Sequence, residues 1–375
     1  MPETGAARRR TPGSNRESRL VRIGIPSLDT VATSLSRTVG IVAVAAALLT
    51  TSTTLATAQE KYAAFVIDAN NGKVLFSKYA DETRYPASLT KMMTLYLLFE
   101  AVDRGRVSLD TKMKVSAYAA ARPPSKIGLK VGSTISAEDA IYSLVTKSAN
   151  DVAVVIGEHL GGSEERFASM MTAKARQLGM SRTTFRNANG LPNPAQKTTA
   201  RDMATLGMAL REHFPQEFSY FKAKSFSFRG RKIGNHNRLL GRIKGVDGIK
   251  TGYINASGFN LVTSFASEGK KVVGVVMGGK SGASRDNHMA ELINTYVKQA
   301  STRGRGPLIA APKATEPRIS VATAVEAPDY ALPSNVPLPS MRTTIDERIA
   351  AAYGSDLGGA IASAAEPADR QVLGR

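Results

Sequence analysis

A hydroxyl and an amine stand three residues apart in the stretch 85–94, as Ser88 and Lys91. Residues at this spacing share a helix face, so the amine can reach the hydroxyl. The run 89–99 is apolar on nearly every side and predicts a buried central helix with Ser88 in its first turn. Burial disfavours the charged form of a lysine, and a neutral lysine can take a proton from a serine. The pair therefore predicts nucleophilic catalysis with a lysine base.

The same spacing occurs twice more, at Ser219 with Lys222 and at Ser267 with Lys270. The second pair lies between two β-like runs and predicts a hairpin turn, while the first lies among aromatic residues with no long apolar helix behind it. The spacing alone is therefore a weak signal. At this point Ser88 could equally be a helix N-cap.

Two further motifs follow Ser88 along the chain. Ser148 and Asn150, separated by one residue, form the only Ser-x-Asn of the chain. Lys250, Thr251 and Gly252 form its only Lys-Thr-Gly and precede a predicted strand. A serine and a lysine at such places are, taken singly, ordinary helix-end and strand residues, so it is their combination that indicates a site.

The composition excludes several classes of enzyme. The chain has no Cys, which rules out thiol catalysis, disulfides and thiolate metal sites. Its four His residues lack the spacing of zinc ligands, and no Gly-x-Ser-x-Gly elbow supports a Ser-His-Asp triad. A thiol enzyme and a zinc enzyme are therefore disfavoured, and catalysis by a serine and a lysine requires no metal and no cofactor.

The chain is strongly basic, with a formal net charge of +19. The cations are spread along the sequence without an aromatic-interleaved basic motif, so we expect no nucleic-acid partner. The charge is equally compatible with an anionic polymer outside the cytoplasm.

The sequence divides into three parts. Residues 1–58 combine an Arg-rich leader, an apolar run at 39–49 and an Ala-x-Ala cleavage motif, which predicts a signal peptide. The run is too short to cross a bilayer, which takes about 20 residues, so we expect at most peripheral membrane contact. Residues 59–300 are the predicted catalytic domain. Residues 301–375 are a predicted Pro/Ala-rich disordered tail, with a possible short helix at 344–353.

Strand-like and helix-like patterns occupy different regions of the predicted domain. Short β-rich runs lie at both ends and helices lie in the middle, and a closing amphipathic helix is predicted at 286–300. This order predicts an α+β fold, with one antiparallel sheet built from distant parts of the chain, flanking helices and an inserted, mainly helical subdomain.

Ser-x-x-Lys, Ser-x-Asn and Lys-Thr-Gly in this order define the penicillin-recognising serine enzymes. Within them, residues 61–300 resemble the low-molecular-mass penicillin-binding proteins of the serine D-alanyl-D-alanine carboxypeptidase type, peptidase family S11. The resemblance also rests on the stretches 185–191, 247–252 and 277–279 and on Arg285. It implies the β-lactamase/DD-peptidase-like fold.

The resemblance implies roles for the residues around the nucleophile. Ser88 is expected to attack the carbonyl of the penultimate D-Ala after Lys91 takes its proton. Ser148 is expected to pass a proton to the departing D-Ala nitrogen. Asn150 is expected to hold both the substrate amide and Lys91.

A second group of residues is implied in binding. Lys250 and Thr251, which form the Lys-Thr-Gly motif with Gly252, are expected to bind the terminal carboxylate of the substrate. Arg285 is expected to add positive potential. The backbone N–H groups of Ser88 and Tyr253 are expected to form the oxyanion hole.

The implied activity is removal of the terminal D-Ala from peptidoglycan pentapeptide stems, in the periplasm or cell envelope, with β-lactam antibiotics as covalent inhibitors. A D,D-endopeptidase that cleaves peptidoglycan crosslinks would use the same residues and stays open. A non-catalytic peptidoglycan-binding protein would be expected to lack a catalytic residue, and none is missing. A β-lactamase is disfavoured because no Glu-x-x-Leu-Asn pattern lies between Ser148 and Lys250.

Overall fold

The computed structural model describes residues 61–311. Within this range it contains nine strands and seven α-helices, together with three 3₁₀ turns. The strands are β1 (Ala63–Asp68), β2 (Val74–Lys78), β3 (Lys112–Lys114), β4 (Thr134–Ser136), β5 (Ser225–Phe228), β6 (Arg231–Gly234), β7 (Val246–Ile254), β8 (Gly258–Ser267) and β9 (Lys270–Gly279). The helices are α1 (Lys91–Asp103), α2 (Ala117–Ala120), α3 (Ala137–Thr146), α4 (Asn150–Gly161), α5 (Glu164–Gln177), α6 (Ala200–His213) and α7 (Gly282–Tyr296).

A five-stranded antiparallel sheet organises the domain, in the order β2-β1-β9-β8-β7. β1 lies at the start of the described chain and pairs with β9 near its end, with Phe65 opposite Val275. The prediction of one antiparallel sheet built from distant parts of the chain is therefore confirmed. Ser267 lies opposite Lys270 at the β8–β9 turn, so that Ser-x-x-Lys pair is a hairpin turn, as predicted.

Helices cover both faces of the sheet. On one face α7 packs Met289 and Ile293 into a cluster with sheet residues such as Val276. On the other face α1 and α6 belong to the larger core. Eleven of the 13 residues of α1 are buried, because its side chains are apolar on nearly every side and contact neighbouring elements all round. The predicted central helix is therefore confirmed.

Side-chain caps set where several helices begin. Ser136 accepts a hydrogen bond from the backbone N–H of Asp139 and starts α3. The closing helix begins at Gly282, four residues earlier than expected, because Ser281 and Ser284 form a reciprocal capping box. It ends at Tyr296 and continues as a 3₁₀ turn over Val297–Gln299.

Residues 301–311, which the sequence analysis assigns to the tail, form hydrogen bonds with the domain. Asp68 accepts a 2.6 Å hydrogen bond from the backbone N–H of Ser301. Glu212 accepts bonds of 3.0 and 2.9 Å from the backbone N–H groups of Leu308 and Ile309, whose side chains pack against the core. Composition missed this contact because the carboxylates bind backbone groups, which every residue type supplies.

The predicted signal peptide (1–58), the rest of the predicted tail and its possible helix at 344–353 lie outside the described residues. Within residues 61–311, none of the helices has the length and apolar character needed to cross a membrane.

Candidate active site

Ser88 lies in a 3₁₀ turn, Ala87–Thr90, directly before α1. Lys91 is the first residue of α1, and its Nζ donates to Ser88 Oγ at 3.1 Å. The predicted contact between hydroxyl and amine is therefore present, although the turn is tighter than an α-helix. Ser88 is partly exposed while Lys91 has no exposed surface, so the hydroxyl can meet a ligand and the amine is shielded from bulk solvent.

Three acceptors hold the Lys91 amine. Besides Ser88 Oγ, these are Asn150 Oδ1 at 2.8 Å and the backbone oxygen of Asn189. Burial, followed by the positive charge of Lys250, holds the pKa of Lys91 well below its usual range. The negative charges of Asp151 and Glu164 act in the opposite direction. The amine is thus suited to accept a proton.

Asn150 begins α4 and contacts Lys91, as expected. Its Nδ2 donates to the backbone oxygens of Pro123 and Pro124 at 2.9 and 3.1 Å. Both amide hydrogens are therefore engaged within the protein, which leaves the second lone pair of Oδ1 for the expected contact with a substrate amide.

Ser148 lies between α3 and α4 in a left-handed conformation, with φ of 59°. It is buried, and its Oγ has no hydrogen-bond partner among residues 61–311. Next to it, Asp151 accepts backbone bonds from Ile127, Gly128 and Leu129 and so holds the preceding loop against α4. A buried hydroxyl without a partner is available to a ligand.

Lys250 lies on β7 and is 1% exposed. Its Nζ donates to the backbone oxygen of Thr251 at 2.8 Å. Burial and then the charge of Arg285 lower the pKa of Lys250 to about 7. A carboxylate bound here would restore the charged form, because an opposite charge stabilises it.

β7 approaches the nucleophile through Gly252. A Cβ at this position would lie 3.0 Å from the backbone nitrogen of Ser88, so the glycine permits the close approach. The next residue, Tyr253, donates its hydroxyl to Asn255 Oδ1 at 2.7 Å and packs its ring on Phe259. The backbones of Ser88 and Tyr253 are thus brought near each other.

Arg285 lies in the first turn of α7 and is buried. Its guanidinium bonds Asp286 Oδ1 at 3.0 and 2.7 Å and the backbone oxygen of Asn260 at 3.1 Å. Asn260 lies opposite Gly252 across β7 and β8, so the guanidinium lies near the Lys-Thr-Gly motif. The guanidinium itself is held within the protein.

Sequence reasoning assigned no role to Asn189, Gly190 or Glu164. Glu164, at the start of α5, accepts bonds from Asn189 Nδ2 at 3.0 Å and from the backbone N–H of Ala188 at 2.9 Å. Gly190 has a φ of +89°, and a Cβ there would lie 2.0 Å from the backbone oxygen of Ala87. The pair Asn189-Gly190 was the sequence signal for this loop conformation, because Asn-Gly pairs favour a left-handed backbone.

His236 was also missed, because nothing near it in the sequence marks it. Desolvation and then the charges of Lys250, Lys147 and Lys91 lower the pKa of His236 to about 4, although part of its surface is exposed. The nearby positive charges favour its neutral imidazole.

Comparisons with known proteins agree with this geometry. The family model described as D-alanyl-D-alanine carboxypeptidase, peptidase S11, matches residues 50–281. The Escherichia coli K12 protein D-alanyl-D-alanine carboxypeptidase DacC is 37% identical over 235 residues, which cover 61% of this chain and 59% of that protein. A D-alanyl-D-alanine endopeptidase of E. coli K12 is 30% identical over 227 residues, covering 57% of this chain and 70% of that protein.

Two solved structures are similar in fold. Penicillin-binding protein 5 from Haemophilus influenzae has a TM-score of 0.60 and 32% identity, covering 62% of this chain and 69% of that one. Penicillin-binding protein D2 from Listeria monocytogenes in its cefotaxime-bound form has a TM-score of 0.57 and 32% identity, covering 62% and 95%. This supports the predicted fold class. The chain spans about three fifths of the length of DacC.

Proposed function

Because the chain belongs to the D-alanyl-D-alanine carboxypeptidase family, peptidase S11, we propose that it removes the terminal D-Ala from peptidoglycan pentapeptide stems. The observation that carries the proposal is the buried Lys91 amine, with its lowered pKa, 3.1 Å from the Ser88 hydroxyl. A neutral amine at this distance is a general base for a serine nucleophile.

In the proposed reaction Ser88 Oγ attacks the carbonyl carbon of the penultimate D-Ala and transfers its proton to Lys91. Ser148, whose Oγ has no partner among residues 61–311, passes a proton to the departing D-Ala nitrogen. The proton that Lys91 took from Ser88 then replaces the one that Ser148 gave up, so Lys91 is neutral again. Water attacks the acyl ester, Lys91 accepts its proton, and that proton passes to Ser88 Oγ as the shortened peptide leaves. Asn150 keeps the amine directed at Ser88 through their 2.8 Å bond.

Binding on β7 orients the substrate for this attack. Lys250 and the Thr251 hydroxyl bind the terminal carboxylate of the substrate, and Arg285 adds positive potential. The backbone N–H groups of Ser88 and Tyr253 stabilise the tetrahedral oxyanion, where the loss of one donor costs about 3 kcal/mol. A substrate carboxylate bound at Lys250 also supplies the negative charge that stabilises the protonated form of the buried Lys250 amine.

β-Lactam antibiotics are proposed as covalent inhibitors that acylate Ser88. The cefotaxime-bound form of the L. monocytogenes relative supports this. The proposed place of action is the periplasm or cell envelope, where the peptidoglycan substrate lies and where the predicted signal peptide would direct the chain. The proposed role is in cell wall biogenesis and cell shape.

D,D-endopeptidase activity on peptidoglycan crosslinks is the second candidate, and the similarity to the E. coli endopeptidase favours it. Both activities form the same acyl-enzyme and differ in the leaving amine. Assaying the purified protein on a pentapeptide ending in D-Ala-D-Ala and on crosslinked dimers separates them, and we expect faster release of D-Ala from the pentapeptide.

Labelled penicillin tests the nucleophile. Ser88→Ala should abolish labelling and D-Ala release. Ser219→Ala and Ser267→Ala, which alter the other two Ser-x-x-Lys serines, serve as matched controls and should leave both intact. Labelling of the Ser88→Ala protein at the wild-type level would refute the proposed mechanism.

A further inference from the structure

Residues 222–244 present a series of exposed positive charges that has no part in the reaction described above. Between Glu217 and Asp247 the chain carries eight Lys or Arg residues and no Asp or Glu. All eight are exposed, and none forms an ion pair with a carboxylate among residues 61–311. This basic surface consists of Lys222, Lys224, Arg229, Arg231, Lys232, Arg238, Arg242 and Lys244.

The hairpin β5–β6 holds the centre of the basic surface in place. Phe228 is buried, and Phe226 stacks on Tyr142 with the ring centroids 5.8 Å apart. Lys232 pairs with Ser227, which lies between the two phenylalanines, so the alternation of side chains puts Lys232 on the opposite face of the hairpin. The hairpin therefore presents its cations to solvent on a fixed framework.

The basic surface borders the proposed active site at two of its motifs. The backbone N–H of His236, within the surface, donates to the backbone oxygen of Thr146 at 3.3 Å, two residues before Ser148. β7, which carries Lys250, begins two residues after Lys244. The segment is thus attached to the chain on both sides of the site.

Arg231 connects the basic surface to the loop that precedes α4. Its Nη2 donates to the backbone oxygen of Ile127 at 3.3 Å. The backbone N–H of Ile127 donates in turn to Asp151 Oδ1 at 3.3 Å, and Asp151 follows Asn150 at the start of α4. A ligand on the basic surface therefore lies alongside the proposed catalytic groups.

The arrangement of these cations favours a polymer over a single anion. One exposed ion pair contributes little, about 1.4- to fivefold in affinity. A polymer with repeated negative charges engages several cations at once, and its later contacts form at a high effective concentration. The two phenylalanines of the hairpin pack against the domain and offer no stacking platform for bases, which disfavours a nucleic acid.

We propose that the basic surface binds the anionic glycan–peptide polymer around the stem peptide that is being cleaved. Peptidoglycan stems carry free carboxylates, so repeated negative charges lie near every cleavable terminus. This polymer is also what the neighbouring site would act on, which favours it over a membrane. The cations attract the polymer and make the protein faster on polymeric peptidoglycan than on the free pentapeptide. The inference rests on the proposed function and adds a preference for the polymeric substrate.

A triple variant with Arg229→Gln, Lys232→Gln and Lys244→Gln tests the proposal. The readout is the ratio of kcat/KM on soluble, uncrosslinked peptidoglycan chains to kcat/KM on the free pentapeptide. We expect this ratio to fall by roughly three- to a hundredfold, from the combined loss of three exposed charge contacts. Raising the ionic strength should bring the wild-type ratio down toward that of the variant.

A second triple variant with Arg182→Gln, Lys73→Gln and Lys298→Gln is the matched control. It removes one exposed arginine and two exposed lysines outside residues 222–244, so the net charge changes by the same amount. The control should leave the ratio unchanged. A fall of the same size in both triple variants would show that only the net charge matters and would overturn the proposal.

Penicillin-acylated protein separates polymer binding from cleavage, because its Ser88 is blocked. The acylated wild-type protein should still sediment with insoluble peptidoglycan, and the acylated variant of the basic surface should bind less. Amidation of the carboxylates of the polymer should remove this difference. Equal binding of the unmodified polymer by the two proteins would contradict the proposed surface.

The outcomes separate this proposal from the proposed function. An unchanged ratio in the variant of the basic surface, with Ser88 still labelled by penicillin, would overturn polymer binding and leave the proposed function intact. Weaker binding of that variant to phosphatidylglycerol vesicles, together with an unchanged ratio, would assign the surface to a membrane and also overturn it. Absence of hydrolysis and of labelling would overturn both proposals.

Discussion

Glu164 Oε1 accepts a 3.0 Å hydrogen bond from Nδ2 of Asn189, whose backbone oxygen in turn accepts from Lys91. A buried carboxylate on α5 thus positions the loop that holds the proposed general base. Its negative charge also counteracts the lowering of the Lys91 pKa by burial and by Lys250. Glu164 therefore acts on the reaction through Lys91 and need not touch the substrate.

Glu164→Gln should shift the pH profile of penicillin acylation. Removing the negative charge favours neutral Lys91, so its pKa falls further and the acidic limb of the profile moves to lower pH. The maximal rate should also fall, because the loop loses part of its anchor. Glu138→Gln, at an exposed carboxylate on α3, is the control. A reduced rate with an unmoved acidic limb would mean that Glu164 is only structural.

Lys250 should impose a basic limb on the reaction. Its pKa is lowered to about 7 and only its protonated form pairs with the substrate carboxylate, so kcat/KM for the free-acid peptide should fall as pH rises through about 7. A peptide ending in D-Ala-D-Ala-NH₂ lacks the carboxylate and should be a poor substrate without this limb. A basic limb of equal size on both peptides would assign it to another group.

Lys250→Ala complements that pH experiment. Losing one partner of a desolvated charge pair costs about 2–5 kcal/mol, or roughly 30- to several-thousand-fold in kcat/KM. We expect this loss on the free acid and a much smaller loss on the amide. Equal losses would place Lys250 in the proton-transfer network, and the carboxylate-binding role would have to be withdrawn.

Gly190→Ala should inactivate the protein. Its new Cβ would lie 2.0 Å from the backbone oxygen of Ala87, so the nucleophile turn or the 186–193 loop must move. Gly179→Ala is a matched control, because Gly179 also has a positive φ, +84°, but open space at the Cβ position. The control should lose about 1–2 kcal/mol of stability to backbone strain and keep its acylation rate. Similar acylation rates for the two variants would contradict the required close contact.

The contacts of residues 301–311 should be measurable as stability. Comparing a chain that ends at residue 311 with one that ends at residue 300, we expect the shorter one to lose about 2–4 kcal/mol, from several hydrogen bonds and two partly buried apolar side chains. Calorimetry should show this as a lower Tm. Glu212→Ala should lower the Tm of the longer chain and have little effect on the shorter one. Equal Tm values for the two chains would show that the segment contributes nothing.

The sequence by itself determined the proposed catalytic motifs, the central helix and the sheet made of distant strands. Ser88, Lys91 and Lys250 were identifiable because their chemistry depends on residue type and short spacing. The buried helix was identifiable because apolar side chains on all its faces have to be covered. The turn at Ser267 was identifiable from its flanking β patterns.

Tertiary structure alone decided how these residues are held and charged. Glu164 and Asn189 reach Lys91 only through folding, and burial rather than residue type lowers the pKa values of Lys91 and Lys250. The occupied amide of Asn150 and the docked residues 301–311 depend on backbone carbonyl and N–H groups. Every residue carries such backbone oxygens, and all but proline carry the N–H, so no sequence pattern could reveal which of them would be paired.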